Sequence, residues 1–292
     1  MLTSFSKMKT TTKIQLAESI LKIIFTMNPR LKEKPEILIK RKNIFWKLDI
    51  MEGIDLSILL FGGFELDSMR IYKKLSKVGD IVFFDVGANI GSHSLLLASM
   101  SSKNSSIHSF EPTDYAFKKL IKNISLNKKL SSKISPNQVF LSSNNANIPN
   151  TIYSSWKLLG REVEKHRLHH GLMKSTNGAK CISMDWYCQH HRLDRVDFIK
   201  LDVDGYEFDV LQGAKNLIKL YLPVFLFEYA PYVHQENGNN PKDILNFFKD
   251  YNYKIFYANN LKEINNFNIN IRKGESKNLI AIHPNNTLNL VC

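Results

Sequence analysis

Acidic side chains sit where apolar runs of this chain stop. Ile81–Phe84 ends on Asp85, and Ile107–Phe110 ends on Glu111. A longer run from Val196 reaches Asp202 and Asp204, and Val224–Phe227 ends on Glu228. Unpaired buried carboxylates are costly, so the recurrence points to a shared polar ligand rather than to packing. Glu111 is placed to accept both hydroxyls of a ribose. Asp202 or Asp204 can take a proton from a substrate hydroxyl. They can also join Glu228 in an all-oxygen set suited to Mg2+, or pair with Lys200. His93 opens a helix beside the same region and is a further general-base candidate.

The turn after Asp85 carries the sharper signal. Phe84-Asp85-Val86-Gly87-Ala88-Asn89-Ile90-Gly91 is an apolar strand, a small-residue turn and the start of a helix. That is the opening of a nucleotide-binding βαβ unit. Gly87 and Gly91 permit a tight turn and close ligand approach, and Asn89 tolerates left-handed backbone. No Gly-Lys-Ser/Thr follows, which excludes a P-loop. A carboxylate here would repel a pyrophosphate, which argues against a nicotinamide dinucleotide. It suits a cofactor with a cationic head, such as S-adenosylmethionine, whose own carboxylate the helix N-terminus can hold. The plainer alternative is an ordinary strand-to-helix turn with a solvated Asp85.

Strands and helices alternate around these residues, the pattern of a doubly wound parallel sheet. Predicted strands are Ile81–Phe84, Ile107–Phe110, Gln138–Leu141, Lys180–Met184, Val196–Val203, Val224–Glu228, Tyr253–Tyr257 and Asn278–His283. The last two lack a helix between them, which predicts an antiparallel edge. Lys200, Asp202 and Asp204 alternate with apolar neighbours and so share one side of their strand. Asp114 and Asp185 read as helix caps. Residues 142–180 are irregular and rich in Asn, Ser and His, as an acceptor or lid loop would be. The N-terminal part, residues 1–45, is a basic helical extension. Its Lys13–Met27 helix has an apolar face for core packing or a membrane surface.

With 292 residues, 43% of them hydrophobic and 23% charged, the chain is globular. Lys and Arg number 40 against 27 Asp and Glu, a formal charge of +13. The excess implies an anionic partner or reflects an AT-rich coding bias equally well. The three cysteines have no disulfide or metal spacing, which favours a reducing interior. His166, His169, His170, His190 and His191 show no zinc spacing. No apolar run approaches transmembrane length and no signal peptide is visible, so the expected location is cytoplasmic.

Together with Phe64-Glu65, Phe110-Glu111-Pro112, Leu211-Gln212-Gly213-Ala214 and Pro223–Glu228, the glycine turn and Asp197-Phe198-Ile199-Lys200-Leu201-Asp202-Val203-Asp204-Gly205-Tyr206-Glu207 resemble the FkbM family of S-adenosylmethionine-dependent methyltransferases. The resemblance runs from about Trp46 to the C-terminus, so a methyltransferase domain is expected over 46–292. It implies a class I methyltransferase (Rossmann-like) fold with a mostly parallel seven-stranded sheet. It also implies O-methylation of a hydroxyl on sugars or polyketide-type small molecules; the expected acceptor is a saccharide, nucleotide-sugar or related small molecule. On this resemblance Glu65, Asp85, Gly87, Ala88, Asn89, Gly91 and Glu111 hold the cofactor, and Asp202 lies beside it. Asp204 stands where the family usually carries Glu, one methylene longer. Two other readings remain. An RNA methyltransferase would use the basic charge, although no RNA-binding module is visible. A non-catalytic cofactor-binding or scaffold protein could share the fold.

Overall fold

Apolar runs that alternate with amphipathic segments must bury a sheet between helices. The computed structural model, which describes residues 10–63, 65, 68–143, 148–155, 157–159, 171–265, 269, 271–272, 274–288 and 290, has this arrangement. β1 (Glu36–Arg41) and β2 (Ile44–Asp49) form an antiparallel hairpin. β3 (Val82–Val86), β4 (Ser106–Phe110) and β5 (Ile134–Asn137) follow, then the short β6 (Val139–Leu141). β7 (Thr151–Ser155), β8 (Leu172–Ser175) and β9 (Lys180–Ile182) lead to β10 (Phe198–Leu201) and β11 (Val224–Tyr229). β12 (Lys254–Tyr257) and β13 (Lys277–Ile282) come last.

Seven of the described strands form one sheet, in the order β12-β13-β11-β10-β3-β4-β5. β11, β10, β3, β4 and β5 are parallel, whereas β13 is antiparallel to both of its neighbours. The central strands are buried on both faces, so consecutive residues serve opposite cores. Phe84 and Phe225 pack on one side with the Met184–His190 and Lys242–Asp250 helices. Phe83 and Leu226 pack on the other side with the Ser92–Met100 helix. Phe83 stacks on Phe198 of β10 at a ring-centroid distance of 5.3 Å.

Several local expectations are corrected. The third strand of the sheet is Ile134–Asn137, whereas Val139–Leu141 pairs in parallel with β9 outside it. Residues 142–180 are not wholly irregular, because β7 and β8 pair as an antiparallel ribbon. Thr113, not Asp114, caps the Asp114–Ser125 helix, its side chain accepting from Ala116 N. Ser183, not Asp185, caps the Met184–His190 helix. Asp185 instead accepts from Asn216 N and Leu217 N, at the start of the Lys215–Tyr221 helix. The helix running from Asp204-Gly205 to Lys219 is two helices, Glu207–Gln212 and Lys215–Tyr221.

The N-terminal helix spans Thr10–Met27 and buries Leu21 and Phe25 against Ile50, Leu56 and Leu158. One apolar face thus packs in a core, while Leu16, Ile23 and Met27 remain exposed. A boundary at residue 45 would fall inside β2, the partner of β1. Ile44, Trp46 and Leu48 also belong to one of the two sheet cores. Asp55 braces this region to the rest. Its buried carboxylate accepts from Asp49 N at 2.6 Å and from Lys119 Nζ at 2.7 Å. Burial pushes the Asp55 carboxyl up to about 6, against the pull of Lys119. Among the described residues, no helix is long and apolar enough to cross a membrane.

Candidate active site

The turn after β3 is built from left-handed residues, with φ of +79° at Gly87, +48° at Asn89 and +89° at Gly91. Gly87 N and Ala88 N both donate to Phe110 O, at 3.0 and 2.9 Å, which fixes the turn to the end of β4. A Cβ on Gly87 would lie 1.8 Å from Asp202 O. The bare backbone therefore lets β3 and β10 converge, a requirement set by the protein itself rather than by ligand approach. Gly91 meets a side chain instead of backbone, its Cβ lying 2.7 Å from the Leu120 Cδ1 methyl.

Beyond the C-terminal ends of β3, β4, β10 and β11 lies a cavity of about 210 Å³. Glu65, Gly87, Asn89, His93, Glu111, Asp202, Asp204 and Glu228 all line it, as does Lys200. Three of the expected ligand-facing residues are elsewhere. Ala88 is buried in the core and Gly91 faces Leu120. Asp85 is fully buried and does not line the cavity; its Oδ2 accepts from Ser94 Oγ, and Oδ1 has no hydrogen-bond partner. Burial pushes its carboxyl up, and Lys200 opposes that shift. Asp85 therefore acts on the cavity through Lys200 rather than by touching a ligand.

Glu111 organises one end. Its Oε2 accepts from Asn89 N at 3.0 Å, and Oε1 accepts from Thr113 N at 2.9 Å and from Thr113 Oγ1. Asn89 Nδ2 donates to Ser154 O on β7, and the Ser154 and Thr113 hydroxyls are 2.9 Å apart. The β7–β8 ribbon is thus fastened to the glycine turn and to the cap of the next helix. Ile152, Tyr153 and Ser154 contribute its wall of the cavity.

At the centre, Lys200 Nζ donates to Asp202 Oδ2 at 3.0 Å and to Gly87 O at 3.3 Å. Burial works against this charge, but Asp202, Asp85 and Glu65 outweigh it and hold the ammonium above the ordinary lysine range. Asp204 has φ +49°, and burial together with Asp202 and Glu207 pushes its carboxyl well up. Glu207 supports that loop from behind, its Oε1 accepting from Val203 N at 3.0 Å and Gly205 N at 3.3 Å. Glu228 is raised by burial and by Asp202 and Glu65, while Ser276 Oγ donates to its Oε1.

His93 Nδ1 is 2.8 Å from Tyr72 OH. Its Nε2 is buried without a hydrogen-bond partner, 3.5 Å from Glu65 Oε2. Burial and Lys200 hold the imidazole well below its ordinary range, so it is neutral.

Tyr72, Ser154, Tyr232 and Ser276 were not singled out in the sequence. Tyr232 stands four residues beyond Glu228, so extending the strand-end rule by one turn would have found it. The other three reach the site through pairings distant in sequence. No group of three or more His, Cys, Asp or Glu among the described residues is arranged to hold a metal ion. That corrects the Mg2+ expectation for Asp202, Asp204 and Glu228. His166, His169 and His170 lie outside the described residues. His190 stacks on Trp186 at 4.5 Å, away from the cavity.

The sheet order, with its antiparallel strand inserted beside β11, and an acid-lined cavity over the β3 turn define a class I methyltransferase-like α/β protein. Residues 85–255 match the methyltransferase FkbM domain, and the chain belongs to that family. It is 26% identical over 180 residues to hexuronic acid methyltransferase AglP of Haloferax volcanii, across 62% of this chain and 66% of that one. The match thus spans just under two thirds of that relative. Among solved structures, the FkbM methyltransferase of Methylobacillus flagellatus gives a TM-score of 0.42 at 16% identity, over 69% of this chain and 43% of that one. An O-methyltransferase from Bacillus cereus, in complex with SAH, gives 0.45 at 11% identity, over 78% and 86%.

Proposed function

We propose that the chain is an S-adenosylmethionine-dependent O-methyltransferase acting on a saccharide or related small-molecule hydroxyl. Family membership supports methyl transfer, and the relative named for hexuronic acid supports a sugar. The observation that carries the reading is the charge of the cavity. Among the described residues that line it, Glu65, Glu111, Asp202, Asp204 and Glu228 stand with one ammonium, which Asp202 and Gly87 O already hold. Such a lining fits a ligand with cationic groups. S-adenosylmethionine, when bound, supplies an electrophilic methyl on a sulfonium.

The chain's own residues would do the rest. Glu111, oriented by Asn89 N and Thr113, retains lone pairs for ribose hydroxyls. Asp202 stays beside the glycine turn through Lys200. Asp204 and Glu228, with raised affinity for protons, orient the acceptor hydroxyl by hydrogen bonding. Asp202 or Asp204 takes the hydroxyl proton in this reading, and neutral His93, held by Tyr72, lines the same cavity. Holding donor and acceptor in line supplies most of the acceleration.

Calorimetric titration with S-adenosylhomocysteine tests the class. Micromolar binding is expected, and Glu111→Ala should weaken it at least about tenfold, in line with loss of charged hydrogen bonds. Preference for NAD, or no binding, would overturn the reading.

A further inference from the structure

Glu65 reaches the cavity from the segment before the Ser68–Leu75 helix, not from the end of a sheet strand, and its φ is +52°. Left-handed backbone is uncommon for a residue with a long side chain, so the side chain's direction is set by its neighbours. The neighbour facing its carboxylate is His93, whose Nε2 stands 3.5 Å from Glu65 Oε2. On the other side of that imidazole, Nδ1 is 2.8 Å from Tyr72 OH. The Tyr72 and His93 rings meet edge-on at 5.8 Å, and both residues are buried. His93 and Glu65 line the cavity, whereas Tyr72 stands behind them. The three side chains thus form a row from the core to the cavity wall.

One arrangement of protons suits this row. A neutral imidazole carries a single N–H, and the bond made at one nitrogen decides where it sits. A nitrogen turned toward a carboxylate is stabilised as N–H and disfavoured as a lone pair. Nδ1 is then the acceptor, and the Tyr72 hydroxyl, kept protonated by burial and by Asp85, Glu65 and Asp202, donates to it. The neutrality of His93 matters as well, because an imidazolium would compete with any cationic ligand for Glu65. At 3.5 Å the Nε2–H steers Glu65 without making a full hydrogen bond.

We infer that Tyr72 and His93 are positioning residues, which hold Glu65 to receive the ammonium of an amino-acid-bearing cofactor. This rests on the methyltransferase reading. In S-adenosylmethionine the ammonium and carboxylate share one carbon. A carboxylate held at the start of the Ser92–Met100 helix would therefore bring the ammonium to the wall that His93 and Glu65 share.

Calorimetry on the purified full chain tests this with two ligands, S-adenosylhomocysteine and its deaminated analogue, in which hydrogen replaces the amino group. The wild-type chain should bind S-adenosylhomocysteine at least about tenfold more tightly than the analogue. Glu65→Gln should bring that ratio close to one. Tyr72→Phe removes only a hydroxyl, frees the imidazole to turn its lone pair toward Glu65, and should narrow the ratio about threefold or more. His93→Leu, at an independent position, should narrow it in the same way, and thermal unfolding without ligand checks that each variant is folded. Equal binding of the two compounds by the wild-type chain overturns the inference and leaves the methyltransferase reading standing. So does a folded Tyr72→Phe or His93→Leu chain that keeps the wild-type ratio or weakens both ligands alike. Failure of the wild-type chain to bind S-adenosylhomocysteine removes the underlying reading instead.

Discussion

Lys200→Met would remove the ammonium that compensates Asp202, Asp85 and Glu65 while keeping most of the side-chain volume. The Lys200 side chain is 4% exposed and that of Asp202 is 25% exposed. Breaking a fully buried pair costs about 3–5 kcal/mol, and the access of water to Asp202 reduces this to roughly 2–4 kcal/mol. For a chain of this size that is a drop in Tm of about 4–8 °C. The loss should depend on pH. Without the cation, burial raises the Asp85 carboxyl still further above its value in the unfolded chain. Stability is then greatest below the unfolded value and falls as pH rises through the folded one. Thermal unfolding of both proteins at pH 5.5 and 8.0 measures this, with the larger gap expected at pH 8.0. A drop below about 2 °C at pH 8.0, or equal drops at both pH values, would refute the role assigned to Lys200.

Two further substitutions test the frame around the site. Gly87→Ala places a Cβ 1.8 Å from Asp202 O at a φ of +79°. It should cost about 2–5 kcal/mol through strain and overpacking, read as lost soluble yield or a lowered denaturant midpoint; an unchanged midpoint would show that β3 and β10 do not converge this closely. Asp55, pushed up to about 6 by burial, favours the fold most when protonated, and that contribution is lost as pH rises from about 4 to 6. Relative to Asp55→Asn, wild-type stability should therefore fall by on the order of 2–3 kcal/mol between pH 4 and 7, and parallel denaturation curves across that range would contradict it.

What the sequence made legible was local. The acids at the strand ends stand next to the apolar runs that position them, so Glu111, Asp202, Asp204 and Glu228 could be read as neighbours from the rule for parallel sheets. Asp85 misled because sequence position shows that an acid follows a strand, not which way its side chain turns. In the fold it points to Ser94, and its charge reaches the cavity through Lys200. β5 was hidden by its composition, since Ile134-Ser135-Pro136-Asn137 carries a proline tolerated only at a sheet edge. Gly87 looked like an adaptation to a ligand. Its neighbour is Asp202 O, more than a hundred residues away, and no local pattern encodes that contact. Ser154 and Ser276 were invisible for the same reason.

β13 is the last strand of the sheet in sequence, yet it lies between β11 and β12. A nascent chain therefore makes β11 long before the segment that covers its open side. Until residues 277–282 emerge, Val224–Tyr229 presents an apolar, unpaired edge, the feature that templates association between chains. Ser276, the hydroxyl partner of Glu228, arrives with that same segment. The wall bearing Glu228 is thus completed last, and the vulnerable species during synthesis is a sheet already paired from β10 to β5 and open at β11.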